Sequence, residues 1–183
     1  NNHDWPATTA WLQKFLTASG RFTVDVSTTP PKGASVRSWE GWQPKFSAYD
    51  VVLSNFNGGH LANGTRWPVD VEAAFENYLR RGGGFVSFHA ANNSFFQWPA
   101  YNDIVGLLWR DKSFGPSLII DEKEKIVFVP ANEGRNAGHP PRYTFHMTTL
   151  NTEHPITQGF PKKWLHPSEQ LTHGQHGPDG VVS

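Results

Sequence analysis

The sequence of 183 residues contains no cysteine. Without a thiol, the chain can form neither a disulfide nor a thiolate metal site, and it has no cysteine nucleophile for covalent catalysis. The absence leaves the compartment open, because cytoplasmic proteins and periplasmic or secreted proteins can both lack cysteine.

An excess of one charge and long apolar runs are also lacking. The 16 Lys and Arg residues balance the 16 Asp and Glu residues, and no basic tract is present, so nucleic acid is not expected as a partner. No stretch reaches the roughly 18 apolar residues that a membrane span requires. The triple glycine at residues 82–84 precedes a predicted strand rather than following one, so we predict no nucleotide cofactor.

Aromatic residues, in contrast, are abundant, with eight Trp and 13 Phe. Rings at this density either form the core or bind flat apolar ligand surfaces such as sugar faces, and the sequence leaves both interpretations open. The length suits one domain and is short for two. We therefore predict a single domain over residues 1–183.

Apolar patterns of alternating period predict an α/β fold. Residues 71–79 carry an apolar stripe at helical spacing, and the glycines at 82–84 end this helix. Short apolar runs at residues 51–53 and 85–89 are typical of strands buried on both faces. The alternation predicts a mostly parallel sheet with helices on both faces. The other predicted elements are a helix from Pro6 to Gly20, a strand at 22–26, a loop at 27–47, a helix at 101–109, a β-hairpin formed by 118–120 and 125–129, and a strand at 143–150.

The carboxyl ends of parallel strands define the edge of a sheet at which ligands bind. Three segments are predicted to meet at this rim: residues 3–5, 55–60 and 89–93. Their side chains suit a sugar, since asparagines can bind hydroxyl groups and an indole ring can stack on a pyranose face. The predicted substrate-binding residues are His3, Asp4, Trp5, Asn57 and Asn92, together with His166 from a later segment.

His89 ends a predicted strand at this rim, so we expect it to be at least half buried. Imidazole titrates near neutral pH, which suits a general base, and it also binds metal ions. A buried histidine with a purely structural role is an equally good interpretation of this position.

His139 and His146, seven residues apart, are candidates to join His89. Three histidines with an open coordination position would bind a divalent metal, zinc or a similar ion. Alternatively, His139 lies in a loop and His146 on a strand face, with no metal. His146 is also a catalytic candidate. Glu169 is another, acting with His166 as an acid–base or carboxylate–histidine pair unless both lie in a solvated loop.

Several segments, in order along the chain, together resemble the ThuA-like (trehalose utilisation) family. The resemblance implies a flavodoxin-like three-layer sandwich related to class I glutamine amidotransferases, with a first central strand upstream of Asn1. This agrees with an opening loop that leads directly into a helix, and we expect the chain to be truncated at both ends. The segments are NNHDW at 1–5, NFNG at 55–58, GGGFVSFHAA at 82–91, WPAYN at 98–102, GH at 138–139 with His146, and HPITQGFP at 154–161.

The resemblance also implies a function and shows two departures. Relatives are linked to bacterial catabolism of trehalose-like disaccharides and of oxidised keto-sugars. Amidotransferases of this fold place a nucleophilic cysteine where this chain has Phe88-His89-Ala90-Ala91, so a glutaminase of that kind is excluded. Where the family often has Asp-Glu-Leu near the end, this chain has Ser168-Glu169-Gln170-Leu171, which keeps a carboxylate.

Two functional hypotheses follow. In the first, the protein is an enzyme of carbohydrate catabolism, a hydrolase, lyase or isomerase that acts on a sugar or keto-sugar at the histidine-rich rim. In the second, it is a non-catalytic sugar-binding or accessory module. The partner in both is a small-molecule carbohydrate, and a homo-oligomer is compatible with either. A metal held by the histidines for structural reasons is a third hypothesis.

Overall fold

The computed structural model of the protein describes residues 3–181. Asn1 and Asn2, which belong to the first family-like segment, lie outside the described residues, as do Val182 and Ser183. The chain forms two compact units, Asn1–Tyr101 and Asn102–Ser183. Within residues 3–181, no helix is long and apolar enough to cross a membrane.

The chain has an α/β fold, in which helices and strands alternate up to α4 and four strands follow. Two 3₁₀ helices, at Phe46–Ala48 and His89–Asn93, complete the described elements. The helices are α1 (Trp5–Ala18), α2 (Val36–Glu40), α3 (Val69–Arg80) and α4 (Pro99–Val105), and the strands are β1 (Val51–Ser54), β2 (Gly84–Ser87), β3 (Ser117–Ile120), β4 (Ile126–Val129), β5 (Tyr143–Thr148) and β6 (Lys163–Glu169).

The first unit contains a parallel pair of strands, β1 and β2. They pair from Val51 opposite Gly84 to Ser54 opposite Ser87. Helix α3 lies between them in sequence and forms the crossover connection that a parallel pair of strands requires. Both strands therefore end at the same edge, and the segments that follow them form the predicted rim.

Helix α3 buries one face and then stops abruptly. Val71, Phe75 and Tyr78 of the predicted stripe are buried, Leu79 is half-buried and Ala74 is exposed. Gly82 has a φ of +91°, a left-handed conformation that glycine adopts without strain. A Cβ at Gly83 would lie 2.2 Å from the Tyr78 ring. The triple glycine thus ends the helix and lets the ring lie against the backbone.

Aromatic rings fill the interior of the first unit. The centroid of the Trp67 ring lies 5.0 Å from that of Phe95, 5.8 Å from that of Phe75 and 5.9 Å from that of Trp98. All four side chains are buried. The contacts with Phe95 and Phe75 are edge to face, which adds to the stability gained from burial itself. The sequence left open whether the aromatic residues form the core or bind a ligand. These four residues form the core.

Antiparallel strand pairs organise the second unit. Strands β3 and β4 form the predicted hairpin, with Ser117 opposite Val129. Strands β5 and β6 form the other pair, in which Thr148 lies opposite Lys163. The sequence did not predict β6 because Pro167 interrupts its pattern, and proline is tolerated only where its missing N–H is not needed.

The interior of the second unit is partly polar, and His176 lies within it. Its side chain is completely buried. Nδ1 lies 2.7 Å from the carbonyl oxygen of Gly115, and Nε2 lies 2.8 Å from that of Arg135. The backbone of His176 also exchanges hydrogen bonds with that of Leu108. One residue therefore joins three separate segments.

The described strands do not form the mostly parallel sheet that the sequence predicted. They form three two-stranded sheets, of which two are antiparallel. The period-2 pattern of a strand identifies its faces but does not identify its partner or direction. Residues 22–26 were predicted as a strand, yet they belong to none of the sheets formed by residues 3–181.

Two element boundaries also differ from prediction for local reasons. Helix α4 ends at Val105 rather than near residue 109 because Gly106, with a φ of +78°, turns the backbone out of the helix. The predicted loop at 27–47 contains the short helix α2. Ser35 caps it by accepting a hydrogen bond from Ser38 N at 3.2 Å, a signal that the sequence carried.

Candidate functional site

The rim of the first unit brings His3 and His89 into contact. Nε2 of His89 lies 3.3 Å from Nδ1 of His3. The two rings meet edge to face, with centroids 4.7 Å apart and planes at 90°. Two of the predicted site residues, which are 86 positions apart in sequence, thus form a histidine pair.

The backbone at His89 adopts a conformation that few side chains favour. Its φ is +49°, in the left-handed region where histidine is more common than most residues. The residue lies just past the end of β2 and opens the 3₁₀ helix His89–Asn93. A sharp turn after a strand presents its side chain outward, as at the nucleophile elbow of hydrolases.

His89 is exposed, so the expectation that it would be at least half buried is wrong. Strand β2 ends at Ser87 instead of reaching residue 89, and the turn that follows directs the imidazole out of the unit. Exposure leaves the ring accessible to a small molecule, as a catalytic or binding role requires.

Asp4 and Trp5 stand where α1 begins. Asp4 caps the helix, since its Oδ1 accepts a hydrogen bond from Ala7 N at 3.1 Å. Trp5 is 42% exposed, and its carbonyl accepts a hydrogen bond from the Asn55 side chain at 3.3 Å. Asn55 also donates to the Thr9 hydroxyl at 3.0 Å. It thereby fixes the start of α1 against the segment that follows β1.

Asn57 lies in a loop that is held against the segment following β2. Its Oδ1 accepts a hydrogen bond from Gly59 N at 3.0 Å, a local turn typical of asparagine. Gly58 N donates to the Ser94 hydroxyl at 2.8 Å, and that hydroxyl donates to the carbonyl oxygen of Phe56 at 2.9 Å. Asn92 belongs to the 3₁₀ helix directly before Ser94. The three predicted rim segments are therefore connected within the first unit.

The other candidate residues belong to the second unit. His139 is exposed, and its ring lies 5.8 Å from that of Trp109. His146 is an exposed residue of β5 opposite Leu165. Their local structure therefore matches the alternative in which His139 lies in a loop and His146 lies on a strand face. Their roles as metal ligands or catalytic groups stay predictions.

His166 and Glu169 both belong to β6, so the solvated loop considered for them is wrong. His166 stacks on Phe145, with ring centroids 4.9 Å apart. Glu169 lies opposite Tyr143, and its Oε1 accepts a hydrogen bond from Gln170 N at 2.7 Å. A shift in register between Tyr143 and Phe145 places the two candidates opposite residues that are two apart on β5. The acid–base pair stays a prediction.

A metal site lacks support from the geometry of residues 3–181. Within this range, no group of three or more His, Cys, Asp or Glu side chains could hold a metal ion. The three-histidine site of His89, His139 and His146 stays a prediction from the sequence.

Sequence reasoning overlooked two residues that position the rim, Asn55 and Ser94. Asn55 belongs to the predicted rim segment and directly follows a buried strand, which was a usable signal. Ser94 carried no comparable signal, because the loop of Asn57 that meets its buried hydroxyl is brought there by the fold.

Comparison with known proteins identifies the family. The family model for ThuA, described as trehalose utilisation, matches residues 1–183. The chain belongs to the ThuA family. Membership confirms the resemblance seen in the sequence and supports a carbohydrate-related role for this ThuA-family chain.

A solved structure is similar to this ThuA-family chain over most of its length. It is the crystal structure, at 1.75 Å resolution, of a protein from Parabacteroides merdae ATCC 43184 described as ThuA-like. The two chains are 31% identical, with a TM-score of 0.86. The match covers 97% of this chain but 61% of the other, so this chain spans less than two thirds of that protein. Among curated proteins, none is significantly similar to this ThuA-family chain.

Proposed function

We propose that the protein is an enzyme of carbohydrate catabolism that acts on a sugar or keto-sugar, of the trehalose-like disaccharide class, at the rim of the first unit. The observation that carries the proposal is the contact between His3 and the exposed His89 just past the end of β2. The carbohydrate class follows from membership of the ThuA family.

His89 is the acid–base residue of this proposal. Hydrolysis, elimination and isomerisation of a sugar each require a proton to be taken from water or from carbon and returned elsewhere, and imidazole does this near neutral pH. A keto group makes the neighbouring C–H more acidic, which lowers the demand on the base. His3 holds the His89 ring through the contact between Nδ1 and Nε2, so its role is to position the acid–base group.

In this proposal, the polar residues of the connected rim segments bind the hydroxyl groups of the substrate. Asn57 and Asn92 supply amide donors and acceptors, Asp4 supplies a carboxylate, and the exposed ring of Trp5 supplies a surface for a pyranose face. Hydrogen bonds already hold the segments of these residues in place. Such preorganisation lowers the entropy cost of binding a flexible disaccharide.

The test is turnover by the His89→Ala variant. Purified protein is incubated with trehalose and with its keto form, and products are identified by NMR and mass spectrometry. The variant should lose roughly 10²- to 10⁴-fold in turnover, the usual contribution of an acid–base residue, and should keep its thermal midpoint because His89 is exposed. His154→Ala, which removes an exposed histidine outside the rim segments, serves as the control.

Two outcomes would decide against the proposal. Full turnover by the His89→Ala variant would exclude His89 as the acid–base residue. Saturable binding of both sugars with no product from the unmodified protein would instead favour the non-catalytic sugar-binding module. Elemental analysis of protein purified without a metal-affinity tag tests the separate prediction of a bound divalent metal.

A further inference from the structure

An open cleft of about 370 Å³ lies in the first unit, between helix α2 and residues 65–68. This volume falls within the range of roughly 300 to 1,000 Å³ that is typical of small-molecule sites. None of the residues that line the cleft was assigned to the rim. Its lining includes Trp39, Glu40, Thr65, Arg66, Trp67 and Pro68.

Two indole rings of the cleft wall are held in place by neighbouring aromatic rings. Trp67 is 7% exposed, and its ring lies 5.0 Å from that of Phe95. Trp39 meets the ring of Trp42 edge to face at 6.1 Å. Trp42 is itself fixed, because its indole N–H donates a hydrogen bond to the Ser27 hydroxyl at 3.0 Å. The aromatic surface of the cleft therefore needs little ordering when a ligand binds.

Arg66 is also fixed in position. Its guanidinium donates two hydrogen bonds to the carboxylate of Glu72 and one, at 3.0 Å, to the carbonyl oxygen of Gln97. The side chain of Glu72 is 5% exposed, whereas that of Arg66 is 38% exposed. Hydrogen bonding with Glu72 raises the pKa of Arg66. The guanidinium thus stays charged and reaches solvent at the cleft.

The charges around the cleft disfavour an anionic ligand. The positive charge of Arg66 is compensated by Glu72, which leaves the exposed carboxylate of Glu40 as the uncompensated charge of the lining. A phosphate group would meet this carboxylate and would find no spare positive charge among the lining residues. Hydroxyl groups, in contrast, can accept from Arg66 and donate to Glu40.

We propose that this cleft is a second carbohydrate site, which binds a neutral, unphosphorylated sugar against Trp39 through Arg66 and Glu40. The carbohydrate class rests on the proposed function, whereas the position of the site and its preference for a neutral ligand rest on the cleft itself. The sugar ring lies on the indole of Trp39, and its hydroxyl groups bond to the fixed guanidinium and to the carboxylate.

The experiment measures binding of neutral disaccharides (trehalose, maltose and sucrose) and of trehalose 6-phosphate by calorimetry and saturation-transfer NMR. At least one neutral sugar should bind, and the Trp39→Ala variant should weaken that binding about tenfold or more. The matched control is Trp11→Ala, which removes a 58% exposed indole of α1 that does not line the cleft. The Glu40→Gln variant should bind trehalose 6-phosphate more tightly than the unmodified protein does.

Three results would overturn the second site: no neutral disaccharide binds, Trp39→Ala binds as tightly as Trp11→Ala does, or the unmodified protein prefers the phosphorylated sugar. Circular dichroism and the thermal midpoint of each variant establish that a loss of binding is not a loss of fold. The His89→Ala variant separates the two proposals, because it should lose turnover and keep the binding that depends on Trp39. Loss of turnover in His89→Ala together with unchanged binding in Trp39→Ala would retain the proposed function and reject the second site.

Discussion

Nδ1 of His3 lies 3.3 Å from Nε2 of His89, although the two residues are 86 positions apart in sequence. A hydrogen bond between two ring nitrogens requires one to donate and the other to accept. The pair can therefore carry one hydrogen between its rings, and the tautomer of one ring fixes that of the other. This contact makes the rim of the first unit a candidate for proton transfer.

Replacing His3 with alanine should reduce turnover without removing it. The variant keeps the acid–base group and loses the contact that orients it, so we expect a decrease of roughly tenfold, smaller than that in His89→Ala. Steady-state kinetics measure the decrease. Turnover in His3→Ala equal to that of the unmodified protein would show that His3 does not position His89.

Replacing Arg66 with alanine should destabilise the protein by about 3 kcal/mol, because the carboxylate of Glu72, which is 5% exposed, would lose its partner. Chemical denaturation measures this loss. Arg80→Ala provides the matched control, since Arg80 pairs with Glu76 on the same helix and is 69% exposed. Removal of such an exposed pair should cost less than about 1 kcal/mol. Equal losses in the two variants would contradict the role assigned to burial.

Replacing His176 with phenylalanine should destabilise the second unit by about 2 kcal/mol or more. The ring size is nearly kept, but phenylalanine cannot make the polar contacts that the ring nitrogens form with the carbonyl oxygens of Gly115 and Arg135 inside the unit. His173→Phe changes an exposed ring in the same segment and should have little effect. Thermal unfolding distinguishes the two variants, and a midpoint for His176→Phe equal to that for His173→Phe would disprove the prediction.

The stability of the second unit should depend on the charge of Asp111. Hydrogen bonds from the Ser113 hydroxyl and backbone N–H lower the pKa of Asp111 below its ordinary value of 3.8. A lowered pKa in the folded state contributes stability that is present above pH 3.8 and is lost as the pH falls through the folded-state value. In Ser113→Ala the pKa should move back up towards 3.8. NMR titration of the Asp111 carboxyl group measures the shift, and an identical midpoint in both proteins would refute it.

Local patterns in the sequence predicted much of the fold. The apolar stripe of α3, the triple glycine that ends it and the hairpin of β3 and β4 all depend on interactions between residues close in sequence. The rim segments could also be placed from the chain order alone, since parallel strands end at the same edge of a sheet. The register shift near Tyr143 and the pairing of β6 depend on contacts that no local pattern contains.

The sequence by itself determined that the protein has no thiol chemistry, that its charges balance and that it resembles the ThuA family. Only the tertiary structure decided that His89 is exposed and contacts His3, that His176 is buried between two carbonyl oxygens, and that Trp67 belongs to the core while it also lines a cleft. The physical reason is the range of the interactions. Helix and turn signals act over a few residues, whereas burial and ring contacts depend on which distant segments the fold brings together.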